Sequence, residues 1–439
     1  MNFNKFYELA KQNGLEVAEL TQSKSSTFSI EIFKKEITSY SFKDTSRLTG
    51  RGIYNGKLGF VTTEKDDATT PLYIINSIKD AASVINSDDE AIIYKGAKKY
   101  KKKNVFNKEL SSWAADDILK ILFEIEEKLY AKDPRITDVE VAFERVQSAL
   151  TFSNSYGLLI KNKSNFFDFV ASITIKDGEE VKSSFNVFLD NKIENFNIEE
   201  FVNETVRKGV EKFHGETIAP GAYNAVLSRE VVDSLLCALI SNASAEEVQK
   251  HSSSFEGKLN QKVFSDKITI EEKPLANNIF YDFIDDEGVP KQNKFIVKKG
   301  VLTTYLHNLG TAKKDGVEST GNGQRNGSKV SVSFGNLFLK PGRLSEEQLF
   351  EKIGNGVYIT SLQGLHAGLD PRSGDFSLQA EGFHIKDGKK DKALTLITAS
   401  GNLFKVFNDV IAVGNNSKLL LSSDTVPSMA VKGLKISAE

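Results

Sequence analysis

Glycine placement constrains this chain more than any other feature. Of its 31 glycines, 18 lie at or after Gly300, in a sequence of 439 residues. Between them run short segments rich in β-branched and aromatic residues, at 329–334, 357–362 and 394–397. Glycine is costly inside a helix and natural at turns, so dense glycine among short apolar alternations predicts a mainly antiparallel β domain. The texture changes near Pro220-Gly221, which divides the chain into an expected N-terminal domain, 1–218, and a β-rich C-terminal domain, 219–439. One inserted helix is predicted there. Val231, Val232, Leu235, Leu236, Leu239 and Ile240 recur at helical spacing behind Ser228, whose hydroxyl can cap the N–H three residues on.

The N-terminal half alternates helix and strand. Phe3, Phe6, Leu9 and Ala10 predict a helix ending before Gly14, and Phe28, Ile30 and Ile32 alternate as a half-buried strand that 37–42 continues. Asn55-Gly56 tolerates the positive φ angles of a tight hairpin, and Leu72, Ile75, Ile78, Ala82 and Ile85 return to helical period. A second unit repeats the order: Ile118, Leu119, Leu122, Ile125 and Leu129 on a helix, strands over 139–175 about the turn Asn154-Ser155-Tyr156-Gly157, and a helix over 201–213. The expected fold class is therefore α+β. Its N-terminal α/β domain holds two helix–β-meander–helix units, the arrangement a duplication would leave, and its C-terminal domain is mainly antiparallel β with one inserted helix. The basic run Lys98-Lys99-Tyr100-Lys101-Lys102-Lys103 between the units is expected as a solvated loop.

Composition excludes several function classes. Lys+Arg total 57 against 59 Asp+Glu, a net charge of -2, so nothing draws the chain globally to a phosphate backbone and no nucleic-acid partner is expected. No apolar run approaches the ~20 residues that a spanning helix needs, and residues 1–20 carry charges where a secretory signal would be apolar. Cys237 is the single cysteine, which rules out an internal disulfide or a cysteine-cluster metal site and fits a cytoplasmic protein. On the apolar face of its helix it is expected to behave as a small hydrophobe. The five histidines are scattered, and none forms H-E-x-x-H. The string G-N-G-Q-R-N-G-S-K at 321–329 lacks the Gly-Lys-Ser/Thr order of a P-loop and is expected as a surface loop. His366 and His384 flank Asp370, Asp375 and Glu381, and a hairpin over 361–384 could bring them to one cation; their unhelical spacing favours a glycine-rich loop and an alternating strand residue instead.

Several glycine-rich strings together carry a resemblance. Gly356-Val357-Tyr358-Ile359-Thr360 leads to Gly364, then come Ser373-Gly374-Asp375-Phe376-Ser377 and Gly382-Phe383-His384-Ile385. Gly50-Arg51-Gly52, Gly56-Lys57-Leu58-Gly59-Phe60, Ser319-Thr320-Gly321-Asn322 to Arg325, and Ser400-Gly401-Asn402-Leu403 accompany them. In this order they resemble the TldD/PmbA family of peptidases, once called modulators of DNA gyrase, over nearly the whole chain. In the TldD branch a helix carries H-E-x-x-x-H, whose histidines bind a metal while the glutamate polarises its water. The matching helix here places Cys237, Ala238 and Asn242 where that branch has His, Glu and His. Alanine has no proton-accepting group and asparagine is a poor transition-metal ligand, so the resemblance implies no catalytic residue, no metal and no cofactor in this chain.

That departure resembles the PmbA branch, also called TldE, as does Ser252-Ser253-Ser254-Phe255. The branch implies a subunit of a cytosolic metallopeptidase whose TldD-type partner holds a zinc-like metal and whose substrate is an unstructured peptide. The alternative is an independent homodimer that binds peptide or acts as a scaffold without hydrolysis. Strand edges of a β-rich domain suit extended peptide. Gly364, Gly374, Asp375, Phe376 and Ser377 are the candidate interface or substrate path, because glycine permits close backbone approach; a tight turn with Asp375 as turn residue is the equal alternative.

Overall fold

The computed structural model of the chain describes residues 1–85, 91–327 and 329–438. In α1 (Phe3–Gln12) the Asn2 side chain accepts the Lys5 N–H, and Phe6 and Ala10 are buried. There follow β1 (Val17–Phe33), β2 (Glu36–Tyr54), β3 (Lys57–Thr63) and α2 (Thr70–Val84). Asn55 and Gly56, with φ of 50° and 71°, make the tight turn between β2 and β3. The second half runs α3 (Lys108–Ser111), α4 (Ala115–Lys132), β4 (Ile136–Asn154), β5 (Leu159–Asp177), β6 (Glu180–Asp190) and α5 (Ile198–Val210). All strands join one antiparallel sheet in the order β3-β2-β1-β4-β5-β6. Each three-stranded meander is thus flanked by helices, and the order has the same pattern from either edge, as two units related by a two-fold axis between β1 and β4 would give. The basic run 98–103 lies in an irregular segment.

Glycine lets α2 lie directly on β2 and β3. A Cβ at Gly50 would stand 2.4 Å from Ile74 Cγ2, and one at Gly59 would stand 1.9 Å from the Ile78 carbonyl oxygen. At the other end of the sheet, Trp113 meets Phe143 and Phe167 edge-on, with ring centroids 5.6 and 5.7 Å apart. α4 buries Ile118, Leu122, Ile125 and Leu129, four of the five positions singled out by their spacing.

The chain resolves into two compact units. The first is Met1–Val210 with Asn277–Pro290 and Gly323–Ser331; the second is Glu211–Ala276, Lys291–Asn322 and Val332–Glu439. After α5 come β7 (Gly221–Leu227), α6 (Arg229–Ile240), α7 (Ala245–Gln249), β8 (Ile270–Glu272), β9 (Lys294–Lys298), β10 (Val301–Leu302) and α8 (Leu309–Asp315). The hairpin β11 (Gly323–Asn326) and β12 (Lys329–Val332) precedes β13 (Leu337–Leu339), α9 (Glu346–Ile353), β14 (Gly356–Gln363), α10 (Leu365–Gly368), β15 (Asp375–Lys386) and β16 (Lys389–Asn402). α11 (Leu403–Asn408), β17 (Val410–Val413), β18 (Lys418–Leu419), β19 (Thr425–Val426) and β20 (Met429–Ala438) complete it.

In the second unit one sheet has the order β16-β15-β14-β7-β20-β17, and a further β16–β20 pairing closes five of its strands into a ring. A second sheet runs β10-β9-β8-β13-β19-β18. Pairing is antiparallel except for β14 with β7 and β13 with β19. α6 is the longest helix of this unit, capped by Ser228, whose Oγ accepts the Val231 N–H at 3.3 Å. It presses Val231, Val232, Leu235, Leu236, Leu239 and Ile240 into the core of the unit. Five shorter helices, α7 to α11, accompany it.

Candidate functional site

The apolar stripe of α6 fixes where its other side chains go. With Leu235, Leu236, Leu239 and Ile240 in the core, Asp233 and Cys237, one turn apart, share a neighbouring face. There they meet Asp424, just before β19, and one donor atom from each of the three lies within 4.8 Å of the others. The Cys237 thiol donates to Asp424 Oδ2 at 3.3 Å, while Asp424 Oδ1 accepts the Leu337 N–H at 2.7 Å. The expected apolar surroundings of Cys237 are therefore half of the picture: one flank touches the core, the other a pair of carboxylates. Burial raises the Asp424 acid to about 7, helped by Asp233, and burial also raises Asp233. Burial, then Asp424 and Asp233, push the thiol far above the ordinary cysteine range, which disfavours the nucleophilic thiolate.

The other two positions matched to H-E-x-x-x-H do not fit a hydrolytic metal. Ala238, half-buried on the next face, offers no base. Asn242, 3% exposed, has both ends of its amide engaged. Its Nδ2 donates to the Pro371 carbonyl at 2.9 Å and the Leu239 carbonyl at 3.3 Å, and its Oδ1 accepts the Ser254 N–H at 2.9 Å. Its own carbonyl accepts from Ser253 Oγ at 2.6 Å. Asn242 is a cross-link between the end of α6, the loop after α10 and the serine run 252–254. Ala238 thus supplies no proton-accepting side chain, and the amide of Asn242 is engaged at both ends.

Gly364, with φ of 78°, caps α10, and its carbonyl accepts the N–H groups of Ala367 and Gly368. Gly374, with φ of 80°, is pressed under Phe404: a Cβ there would stand 2.6 Å from that ring. Asp375 is exposed and its Oδ1 accepts from Asn402 Nδ2 at 2.9 Å; Ser377 is exposed, while Phe376 turns into the core at 5% exposure. Asp375 borders a cleft of about 350 Å³ whose rim carries Lys405, Lys432 and Lys435.

His366 and His384 are not brought together with their acidic neighbours. Among the described residues, Asp233, Cys237 and Asp424 form the one group of at least three potential ligands within reach of a single ion. His366 is exposed on α10, and His384 pairs with Val357 in the sheet. Glu381 pairs with Lys212 at 2.9 Å, and Asp370 accepts the N–H of Arg372 at 2.8 Å.

The string 321–329 corrects the expected surface loop. It enters the β11–β12 hairpin, and Arg325 is drawn in to Glu19 at 2.6 Å, its side chain 11% exposed. Arg51 approaches the same Glu19 oxygen at 3.4 Å. Two arginines from separate glycine-rich strings thus close on one buried carboxylate of the first unit. Sequence reasoning missed Asp233 and Asp424; the spacing of Asp233 and Cys237, one helical turn, is the only local signal that links two of the three.

Comparison with known proteins accords with this architecture. Residues 220–438 match the family model described as the PmbA/TldA metallopeptidase C-terminal domain, and residues 108–213 match the PmbA/TldA metallopeptidase central domain. A metalloprotease PmbA homolog of Buchnera aphidicola is 25% identical over 90% of each chain. Among solved structures, a candidate modulator of a DNA gyrase from Thermotoga maritima superposes with a TM-score of 0.90 at 27% identity, over 99% of each chain. TldE from Thermococcus kodakarensis gives 0.92 at 20% identity, over 99% of this chain and all of that one, which speaks to the fold. Among the described residues no helix is long and apolar enough to cross a membrane. Two matching domain models, full-length relatives and the shared fold make this chain a member of the PmbA/TldD metallopeptidase family, of its PmbA/TldE kind.

Proposed function

We propose that this chain is the non-hydrolytic, TldE-type subunit of a TldD/TldE-type metallopeptidase that degrades unstructured peptides in the cytoplasm. The observation that carries the reading is the committed state of Asn242 beside Ala238: one position has no base, and the other spends its amide on three structural hydrogen bonds. The metal and its water then belong to a TldD-type partner, and this chain supplies surface. Strand addition has a place to occur. β3 pairs with β2 only over Leu48–Tyr54, so residues 36–47 of β2 have β1 on one side and no strand on the other among the described residues. Ile37, Tyr40 and Phe42 on that segment are 47, 58 and 63% exposed, which suits the apolar side chains of an extended peptide.

The same edge favours one alternative, a homodimer that pairs β2 with its copy and does not hydrolyse peptide. The test is metal content and cleavage of an unstructured peptide by this chain alone, by a TldD-type protein alone and by the mixture. The expected result is cleavage raised by mixing, with a hetero-oligomer on size exclusion. Peptide cleavage by the lone chain, or a homodimer indifferent to the TldD-type protein, overturns the proposal.

A further inference from the structure

The cleft beside Asp375 opens where the ring of strands comes apart. β16 and β20 pair from Ile397–Ala438 to Ser400–Lys435 and then separate, β16 running on to α11. In the gap the buried side chains of Phe376, Val406 and Leu434 meet an exposed rim of Lys405, Lys432 and Lys435, around about 350 Å³. A β-bulge sets that rim. Between Val431 and Leu434 the register of β20 against β7 slips, three steps on β20 answering two on β7, from Ala225 to Tyr223. Alternation would put residues three apart on opposite faces, but the extra residue sends Lys432, Gly433 and Lys435 all outward and turns Leu434 in. Gly433, with φ of 67° and open space where a Cβ would stand, takes up the left-handed step of the bulge. The three ammonium groups are not balanced. Among the described residues none of these lysines is in an ion pair, and Asp375, the one carboxylate lining the cleft, has its Oδ1 held by Asn402 Nδ2 at 2.9 Å. Asn402 also fixes the start of α11, its Oδ1 accepting the N–H groups of Phe404 and Lys405 at 3.1 and 3.3 Å. A chain of net charge -2 thus gathers three cations against one anion around an apolar hollow.

We propose that this cleft binds the C-terminal residue of an extended peptide, its carboxylate on the lysines and an apolar last side chain on Phe376, Val406 and Leu434. Of the carboxylates a peptide offers, only the terminal one shares a Cα with an apolar side chain, so one residue spans rim and floor. An aspartate or glutamate side chain would reach the lysines and leave the floor bare. The hydroxyl of Ser400, half-buried in the lining, is a further donor. Exposed lysines act as flexible point charges, so affinity falls as salt rises. The choice of a peptide as ligand rests on the subunit reading above; the preference of the cleft for an apolar carboxylate does not.

The experiment follows the fluorescence anisotropy of a short Gly/Ser peptide ending in leucine, labelled at its N-terminus, as the full-length chain is added. The free acid should bind at least about tenfold more tightly than the same peptide amidated at its C-terminus, and replacing the last leucine by serine should weaken it several-fold. Lys432→Gln and Lys435→Gln should each weaken the free acid about two- to fivefold, and the double replacement should bring it to the level of the amide. Both side chains are exposed, so the melting temperature should not move. Equal affinity for acid and amide overturns the proposal. So does an amidated peptide with one internal glutamate that binds as well as the free acid, which identifies acidic side chains as the ligand. A free acid that does not bind below millimolar concentration overturns it too. The lone chain is titrated without cleavage, so the result is independent of the mixing experiment. Carboxylate-dependent binding upholds the cleft whether or not mixing with a TldD-type protein yields cleavage, and its absence overturns the cleft while mixing still decides the subunit reading.

Discussion

Asn242→Asp isolates the role of the residue that the resemblance sets at the second histidine of the TldD branch. The replacement keeps shape and the Oδ1 acceptor for the Ser254 N–H, and removes only the Nδ2 donor. The Pro371 carbonyl, held at 2.9 Å, and the Leu239 carbonyl, held at 3.3 Å, then face a carboxylate oxygen. One good hydrogen bond is worth about 0.5–1.5 kcal/mol net, and the new repulsion at a site 3% exposed adds a comparable amount. The local cost is about 2–3 kcal/mol. It falls on the loop after α10, where the Arg372 carbonyl also accepts from Ser254 Oγ, so the loop should open more often. Arg372 is exposed and supplies a trypsin site, which turns the opening into a rate. At about 1.4 kcal/mol per tenfold, cleavage after Arg372 should accelerate roughly 30- to 150-fold, provided reclosing outpaces cleavage. The readout is the Arg372–Ser373 fragment by mass spectrometry at several protease concentrations. A rate within threefold of wild type would refute the idea that Asn242 ties this loop to α6.

Three other perturbations probe the scaffold. Gly59→Ala places a methyl 1.9 Å from the Ile78 carbonyl oxygen, forces α2 off the sheet and should lower stability by about 2–3 kcal/mol in urea unfolding; Gly56→Ala, with open space around it, should cost about 1 kcal/mol from its φ of 71° alone. Arg325→Met removes one of two guanidinium partners of Glu19, whose Oε2 is already buried without a hydrogen-bond partner, and should destabilise by about 3–5 kcal/mol; a change below about 1 kcal/mol would mean that Arg51 suffices. Asp168 is raised to about 7, by burial first and then by Glu144, directly opposite it on β4. Because the folded state holds that proton more tightly than the unfolded state, stability falls as pH climbs from the ordinary carboxylate range through about 7. Asp168→Asn should remove that slope, gaining about 1–2 kcal/mol at pH 8 after allowance for partial exposure and nothing near pH 4. Parallel stability profiles for the two proteins from pH 4.5 to 8 would contradict the assignment.

The elements that could be read from the sequence are those whose environment is uniform along their length. α6 was legible because a continuous core takes every apolar residue at its helical spacing and Ser228 marks its start. The turn at Asn55-Gly56 was legible because its φ angles demand those residues. The great length of β1 and β2, 17 and 19 residues, was not. Alternation fails midway, at Ser23, Ser25 and Ser26 on β1 and Thr45 and Ser46 on β2. There the sheet is bordered by clefts of about 480 and 440 Å³, so no period of apolar residues is required. Arg325 misled for the opposite reason: an arginine in a glycine-rich string looks solvated, and nothing local announces Glu19, which is 306 positions away.

The site divides along the same line. That alanine at position 238 offers no base is visible in one residue and needed no structure. The partners of its neighbours did need one, because Asn242 reaches Pro371 across 129 positions and Cys237 reaches Asp424 across 187. Both partners arrive through the closed ring and the β13–β19 pairing, which set residues distant in the chain against one helix. Asn242 holds the neighbouring loop, and Cys237 faces Asp233 and Asp424, neither of which has an ion pair among the described residues. The amide of Asn242 has both ends paired, whereas the two acids beside Cys237 are buried against one another and both are raised by that burial.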